Sequence, residues 1–160
     1  MANVHKWGMA AIAAVVGVAA LGTTVVAQDK TAFVKDRQAF MKAQAADNKA
    51  INDYAKGMGS KDDAVKAIAD LQARNPKILA LFADSSTSST AMPGVSNAKA
   101  VIWTDKDKFA GVVATLKGLE DKQAALIKTG APADVGAGQA DLGKMGCGGC
   151  HGTYREKLPG

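Results

Sequence analysis

Apolar residues recur along the chain every three or four positions, and strand-like alternation of apolar and polar residues is absent. Clusters of glycine, proline and serine, which favour turns, separate the stretches with this helical spacing. Alanine and lysine, both good helix formers, are abundant between the clusters. The pattern therefore predicts four helices, over about 31–56, 60–75, 104–129 and 132–157.

Capping residues indicate where two of these helices should begin. Ser60 is followed three residues later by Asp63, a spacing at which a hydroxyl and a carboxylate cap the first turn of a helix. Thr104 has Asp107 at the same spacing. Pro76 should end the second helix, because proline lacks a backbone donor and clashes with the preceding turn.

One apolar stripe runs along each predicted helix and defines the surface that should be buried. A polar loop over 84–100 separates the second and third helices, long enough to cross between two helical hairpins but too short to divide the chain into domains. We therefore predict an all-α fold, an antiparallel four-helix bundle. The expected core residues of the last three helices are Val65, Ile68, Leu71, Phe109, Val112, Leu116, Leu119, Leu126, Val135, Leu142 and Met145.

Residues 1–27 have the organisation of a secretory signal peptide. A short basic region that contains Lys6 precedes an almost unbroken apolar run over 8–21. Small residues directly before Gln28 suit cleavage at that point. A retained membrane anchor is the weaker interpretation, since the run is shorter than the roughly 20 apolar residues that a spanning helix needs. The prediction is cleavage, export to the periplasm and one mature domain over 28–160.

Loss of the first 27 of 160 residues leaves 133, a size that suits a single core. The mature formal charge is +4, because the lost segment holds one of the 20 Lys and Arg and none of the 15 Asp and Glu. The lysines do not cluster, so the basic pI of about 9.2 does not indicate a nucleic acid partner. A diffuse positive surface that attracts an acidic redox partner and a merely solvated helical surface both explain the charge. After cleavage, no membrane partner is expected.

The most specific chemical signal is the C-x-x-C-H sequence at 147–151. Its cysteines, Cys147 and Cys150, are three positions apart on a helical turn, so both can form thioethers with the vinyl groups on one edge of a porphyrin. The adjacent His151 can then bind the iron from one face. The motif therefore predicts one covalently attached haem c, whose redox chemistry the protein tunes.

Three other interpretations of the cysteine pair stay open. A thioredoxin-like redox pair is expected near a βαβ unit, and no such strand pattern is visible. A structural zinc site needs about four Cys or His ligands, whereas the second histidine, His5, lies in the segment expected to be removed. An ordinary disulfide would close so short a loop that it would constrain the unfolded chain little.

Glycines make the last predicted helix weak, each by about 1 kcal/mol relative to alanine. Small residues beside the cysteines let a flat porphyrin approach the backbone, and the haem then supplies the missing apolar surface. The bundle is therefore expected to hold the cofactor in its core. The glycines are Gly136, Gly138, Gly143, Gly146, Gly148 and Gly149.

Three features together make the sequence similar to the class II c-type cytochromes, that is, cytochrome c′ and its low-spin relatives. The haem motif lies at the C-terminus, at 147–155, whereas class I cytochromes c carry it near the N-terminus. Arg-Gln-Ala-Phe-Met-Lys at 37–42 is similar to the family's R-x-x-x-M-K pattern. Ala-Val-Ile-Trp at 100–103 resembles the entry to the family's third helix. The resemblance covers essentially the whole mature chain.

The resemblance implies roles for residues of the C-terminal motif. Cys147 and Cys150 would be the thioether attachments and His151 the proximal iron ligand. Arg155, four residues later, would share the face of His151, where the family's matching arginine influences the histidine. The alternative for Arg155 is an exposed cation favoured by the helix dipole. Tyr154 is expected either at the haem edge or in the core.

Met41 matches a family position that faces the other side of the iron. In low-spin members a methionine there binds the iron, whereas in cytochromes c′ the position is left open, and some carry methionine without ligation. Ligation by Met41 is the expectation, with a role as core filler as the alternative. Arg37, one turn earlier, is expected to share that face and reach a haem propionate, and a surface position is its alternative.

The leading functional hypothesis is an exported monohaem electron carrier, not an enzyme, with His151 and Met41 as axial ligands. The alternative is five-coordinate iron that binds nitric oxide or carbon monoxide, with Met41 and Phe40 lining a crowded pocket. A peroxidase-like enzyme is disfavoured, because the mature chain has no second histidine to act as a distal base. A homodimer through the first two helices, as the family often forms, is allowed by alanines on the first helix. The redox partner proteins are not identified by the sequence.

Overall fold

The structure, a computed structural model, describes residues 29–157, so the expected signal peptide lies outside the described residues. The helices are α1 (Lys30–Ala55), α2 (Lys61–Arg74), α3 (Val101–Thr104), α4 (Lys106–Thr129), α5 (Pro132–Asp141) and α6 (Gly148–Tyr154), with a π-helical segment (Leu142–Cys147) between α5 and α6. Helices α1, α2 and α4 form three rods, and α5, the π-helical segment and α6 form the fourth. The rods make a closed ring, in which α1 packs on α2, α2 on α4, α4 on α5 and α5 on α1. The predicted four-helix bundle is confirmed.

The turn between α1 and α2 follows the sequence prediction. Gly57 has a positive φ of 73°, a conformation that glycine adopts without a steric penalty. The Ser60 hydroxyl caps α2 by accepting the Asp63 backbone N–H at 3.0 Å. At the other end, α2 stops at Arg74, directly before the Asn75-Pro76 pair, and 3₁₀ turns at Asn75–Lys77 and Leu79–Phe82 continue the chain.

The buried face of α2 differs from the prediction at one position. Val65 is 46% exposed, whereas Ile68 and Leu71 are buried as expected. Ala64 is fully buried, because it lies four residues before Ile68 and seven before Leu71 and so shares their face. Two alanines, Ala64 and Ala67, form the rest of this face. Apolar periodicity alone did not show whether these alanines or Val65 would be buried.

The prediction that Thr104 caps the third long helix is wrong. Thr104 is the last residue of the short helix α3, and its hydroxyl donates to the Val101 carbonyl at 3.4 Å. The chain breaks at Asp105, whose φ of −133° and ψ of 59° are not helical, and α4 begins at Lys106. At this break, no side-chain hydrogen bond caps the N-terminus of α4. The break turns α3 towards the core, where Ile102 is buried.

The last predicted helix is divided into three parts and ends at Tyr154 instead of residue 157. Its middle part, Leu142–Cys147, is π-helical, a geometry with one extra residue in the turn that often marks functional sites. The wider turn changes which residues face inward. Leu142 and Gly146 are buried, whereas Met145, expected in the core, is 47% exposed.

Aromatic rings close one end of the core. Phe109 contacts Phe82 and Tyr154 edge to face, with ring centroids 5.1 Å apart in both pairs. The Trp103 indole N–H donates to the Phe82 carbonyl at 2.7 Å. Among the described residues, no helix is long and apolar enough to cross a membrane. The other buried apolar residues with side chains larger than alanine are Ile51, Ile68, Leu71, Ile78, Ile102, Val113, Leu116, Ile127, Val135 and Leu142 in the main cluster, with Val34 apart from it.

Candidate haem site

A cavity of about 630 Å³ opens between α1, α4 and the fourth rod. Cofactor sites typically have a volume of roughly 300–1,000 Å³ and a mostly apolar lining with a few polar groups. Helix α4 contributes an apolar wall, and α1 contributes a stripe of apolar and amide side chains together with Lys49. The residues that line it include Met41, Gln44, Ala45, Asn48, Val112, Val113, Leu116, Gln139, Gly143, Gly146, Cys147, Cys150 and His151.

The structure brings Cys147, Cys150 and His151 to the wall of this cavity. Cys147 ends the π-helical segment and the other two lie on the first turn of α6, with helical backbone throughout. The three side chains therefore lie on adjacent positions of one helical surface, and each is half-buried. Gly146 lets this surface approach α4, because a Cβ there would lie 2.9 Å from the Leu116 Cδ1 atom.

Burial determines the protonation of these groups. It raises the pKa of the Cys147 thiol, and it raises the pKa of the Cys150 thiol to about 11, with a further increase from the neighbouring Cys147. Burial also lowers the pKa of His151, and the positive charge of Arg155 lowers it further. Neutral imidazole, the form that binds metals, is therefore favoured at neutral pH.

These properties bear on the other interpretations of the cysteine pair. A redox-active C-x-x-C pair has a thiol whose pKa is lowered, whereas both thiol pKa values here are raised. In the described part of the chain, no group of three or more His, Cys, Asp or Glu side chains is arranged to hold a metal ion. A thioredoxin-like pair and a structural zinc site therefore fit the geometry less well than haem attachment does.

A chain of amide side chains links α1 to the motif. Asn48 Nδ2 donates to the Cys147 Sγ at 3.4 Å, and Gln139 Nε2 donates to Asn48 Oδ1 at 2.7 Å. Gln123 Nε2 in turn donates to Gln139 Oε1 at 3.4 Å. Gln44, one turn before Asn48, is buried beside the cavity, and its Nε2 has no partner within residues 29–157. Since buried donors are almost always paired, this amide indicates a group that fills the cavity.

The residues present fit a haem. The cavity has the size and apolar wall that a porphyrin needs, two thiols and one imidazole line it together, and a buried amide is left for a further partner. Met41 lies on the lining of the same cavity, contributed by α1, and is half-buried. Phe40, expected beside Met41, packs against the core cluster and is not part of the lining.

Arg37 is directed away from the cavity. Its guanidinium donates to Thr87 Oγ1 and to the Thr87 carbonyl, both at 3.1 Å, and to Ser96 Oγ at 2.9 Å. It also lies 4.8 Å from the centroid of the Phe82 ring, and the residue is 4% exposed. The guanidinium N–H groups therefore bind the loop that crosses over between the two helical hairpins. The alternative of an exposed surface residue does not match this burial, and the expected contact with a haem propionate stays a prediction.

Tyr154 and Arg155 lie at the end of α6. Tyr154 is 5% exposed and packs on Phe109, which matches the core alternative for this residue. Arg155 is exposed and has extended backbone, with φ of −115° and ψ of 134°, so it does not continue the helical face of His151. It forms an isolated β-bridge with Ala98 and acts on His151 through its charge.

The sequence interpretation did not identify Gln44, Asn48 or Gln139 as parts of the site. The first two follow Met41 by three and seven residues, so helical periodicity places them on one face of α1, and this signal was available. No comparable signal indicated Gln139, because its position depends on how α5 packs against α1.

Comparisons with solved structures show the same fold. Cytochrome c′ from Rhodobacter sphaeroides is 21% identical, with a TM-score of 0.73, over 81% of this chain and 99% of that chain. A cytochrome c′ with ligand-controlled dimer dissociation is 18% identical, with a TM-score of 0.70, over 80% and 97%. A ferrous variant of cytochrome c prime from Alcaligenes xylosoxidans with bound NO is 21% identical, with a TM-score of 0.66, over 81% and 97%.

No curated protein sequence matches the chain. The family model described as Cytochrome C′ matches residues 32–155, from the first turn of α1 to the residue after α6. This match includes α1, the crossover loop and the haem motif. The chain therefore belongs to the cytochrome c′ family, and its cofactor is a covalently attached haem c.

Proposed function

We propose that the protein is an exported haem protein that binds a diatomic gas, nitric oxide or carbon monoxide, at the iron. In this proposal Cys147 and Cys150 carry the haem through thioethers, and His151 is the proximal ligand. The observation that carries the proposal is the cavity that these three residues share with Met41. The haem supplies an iron centre that binds small ligands, and the residues around it decide which ligands reach it.

Several properties of the chain support His151 as the proximal ligand. Burial keeps its ring neutral at physiological pH, and the charge of Arg155 acts in the same direction. The helix holds His151 directly after Cys150, so thioether formation at the two cysteines would fix the porphyrin edge beside the imidazole. Arg155 is a positioning group in this proposal, since it acts through charge and does not line the cavity.

Gas binding is favoured over electron transfer by the family and by the neighbour with bound NO. The α1 side of the cavity also offers features that suit a small ligand. Its wall carries Met41 and Ala45, and the unpartnered Gln44 amide N–H, within the described chain, is available to a bound ligand. One hydrogen bond in an apolar pocket stabilises a bound polar diatomic molecule.

The visible spectrum of the purified oxidised and reduced holoprotein, before and after NO or CO, tests the proposal. A high-spin spectrum that changes on addition of gas is expected. Met41→Leu preserves side-chain volume and should change the gas affinity by no more than about tenfold. Met145→Leu, at an exposed position, is the control. A low-spin spectrum that neither gas alters contradicts the proposal.

Electron transfer with Met41 as the second axial ligand is the second candidate. The observation in its favour is that Met41 lines the same cavity as His151. A thioether ligand raises the reduction potential, and two fixed ligands limit reorganisation when the iron changes oxidation state. This candidate predicts a weak sulfur-to-iron charge-transfer band in the far red of the oxidised spectrum that Met41→Ala removes.

Export and oligomeric state complete the proposal. Covalent haem attachment outside the cytoplasmic membrane, together with the pattern of residues 1–27, supports a periplasmic location. One structural neighbour is a dimer that a ligand dissociates. We therefore infer that this chain forms a homodimer, which sedimentation of the holoprotein with and without CO will test. A single species of monomer mass at all concentrations contradicts the dimer.

A further inference from the structure

Glu120, in the middle of α4, is a carboxyl group buried in the bundle with no charged partner beside it. The residue is 0% exposed. Neither carboxyl oxygen accepts a hydrogen bond of good geometry from any described residue. Glutamate is almost never fully buried unless it is paired, because an isolated carboxylate loses its hydration. The site therefore favours the neutral, protonated form.

The groups around Glu120 do not replace the lost hydration. Asn75, 4% exposed at the end of α2, is an amide that acts on Glu120, and its Nδ2 has no well-formed partner in residues 29–157. On α4 itself, Lys117 and Asp121 act on Glu120 with opposite signs, but they are exposed and form an ion pair with each other at 2.6 Å. Arg74, beside Asn75, is paired with Asp47.

This environment moves the ionisation of Glu120 into the physiological range. Burial raises the pKa of Glu120 to about 7, against the smaller opposing effects of Asn75 and Lys117. Its proton occupancy near neutral pH therefore responds to small changes in the local potential. A charge that appears or disappears nearby is enough to load or unload the proton.

Glu120 lies one helical turn from Leu116, a residue in the wall of the haem cavity. The charge of Glu120 contributes to the raised pKa of the Cys147 thiol, whereas it has no resolved effect on His151. Leu116, one turn before Glu120 on the same face of α4, lines the cavity, and Glu120 itself does not. On the elements packed against α4, Cys147 is a titratable group that the charge of Glu120 affects, and as a thioether it would carry no charge.

We propose that Glu120 is a buried proton-binding site coupled to the oxidation state of the haem iron. An external one-electron donor adds an electron to the iron and lowers the positive charge of the site by one unit. The carboxylate then takes one proton from water and forms an O–H bond. Oxidation reverses both steps. The inference rests on the haem c cofactor and does not require gas binding.

The midpoint potential of the holoprotein, measured as a function of pH, tests the coupling. Reduction raises the proton affinity of Glu120, so the potential should fall as pH rises through about 7. Glu120→Gln keeps the shape and removes the proton, and should flatten this part of the curve. Asp107→Asn removes an exposed carboxylate in the first turn of the same helix and should leave the curve unchanged. Since the haem propionates are the same in all three proteins, the difference isolates Glu120.

Infrared difference spectra between the reduced and oxidised holoproteins give a second readout. A C=O band of a protonated carboxylic acid should increase on reduction near pH 7, persist in Asp107→Asn and be absent in Glu120→Gln. A potential curve that Glu120→Gln leaves unchanged overturns the coupling, and so does a wild-type spectrum without the band. CO binding measured on the same samples separates this result from the proposed function, because either can fail while the other holds.

Discussion

At the scale of single residues, two buried ionisable side chains are held in opposite ways. Arg37 has three close hydrogen bonds to the crossover loop and a ring contact with Phe82. Glu120 has no comparable partner among the described residues. A satisfied buried cation fixes one arrangement of the chain, whereas an unsatisfied buried acid changes its protonation instead. We therefore assign a structural role to Arg37 and expect the protonation of Glu120 to respond to nearby charge.

Replacing Arg37 tests the structural role. Arg37→Lys should lower the free energy of unfolding by about 2 kcal/mol, because an ammonium does not reproduce the planar fork that binds Thr87 and Ser96 together. Lys42→Ala, an exposed site on the same helix, is the control. Urea unfolding of the holoproteins measures the effect. An unchanged stability with a shifted reduction potential would instead indicate a contact between Arg37 and a propionate.

Replacing Glu120 tests the raised pKa by a route independent of redox chemistry. The folded-state pKa of about 7 exceeds the ordinary value of 4.5 for a glutamate, so the contribution to stability is complete below about pH 4.5 and is lost as pH rises through 7. Glu120→Gln removes this loss. The variant should gain up to about 3 kcal/mol relative to wild type between pH 5 and 8. Parallel stability curves for the two proteins contradict the assignment.

At the scale of elements, the fourth rod packs closely on α4 at two of its glycines, Gly138 and Gly146. A Cβ at Gly138 would collide with the Gln123 amide and lie 2.5 Å from the Leu126 Cδ1 atom, so α5 can approach α4 only without a side chain there. Gly118, in α4, has nothing within 4 Å of the same position. Close packing thus requires glycine at 138, whereas the surroundings of Gly118 do not require it.

This contrast gives a matched pair of substitutions. Gly118→Ala should stabilise the protein by up to about 1 kcal/mol through helix propensity. Gly138→Ala carries the same gain but should be destabilising by about 1–3 kcal/mol, because a packed core does not accept the extra methyl group. Thermal unfolding of both holoproteins compares them. Equal effects of the two substitutions show that the α4–α5 contact is not tight.

At the scale of the whole molecule, the bundle is arranged around a cavity. The four rods meet their neighbours in a ring, and about 630 Å³ between them is lined by the haem motif. An empty apolar cavity costs stability in proportion to its volume, since its lining loses contacts. The haem is therefore expected to be part of the core.

Haem attachment should accordingly control folding stability. The double variant Cys147→Ser, Cys150→Ser keeps the size of both side chains but prevents thioether formation. It should retain helical circular dichroism. Its free energy of unfolding, measured with urea, should be lower than that of the wild type by several kcal/mol. Met145→Leu, made under the same conditions, should behave as wild type. Equal stability of the haem-free and haem-bound proteins contradicts a core role for the cofactor.

The amino-acid sequence alone determined the helical bundle, the cap at Ser60, the end of α2 before Pro76 and the family to which the haem motif belongs. These features depend on periodicity or on residues a few positions apart, and such short-range patterns can be read directly from the sequence. The tertiary structure decided the break at Asp105, the π-helical turn before Cys147 and the burial of Arg37 and Glu120. Arg37 binds groups 44 to 59 residues away, and contacts over such distances arise only when the rods pack.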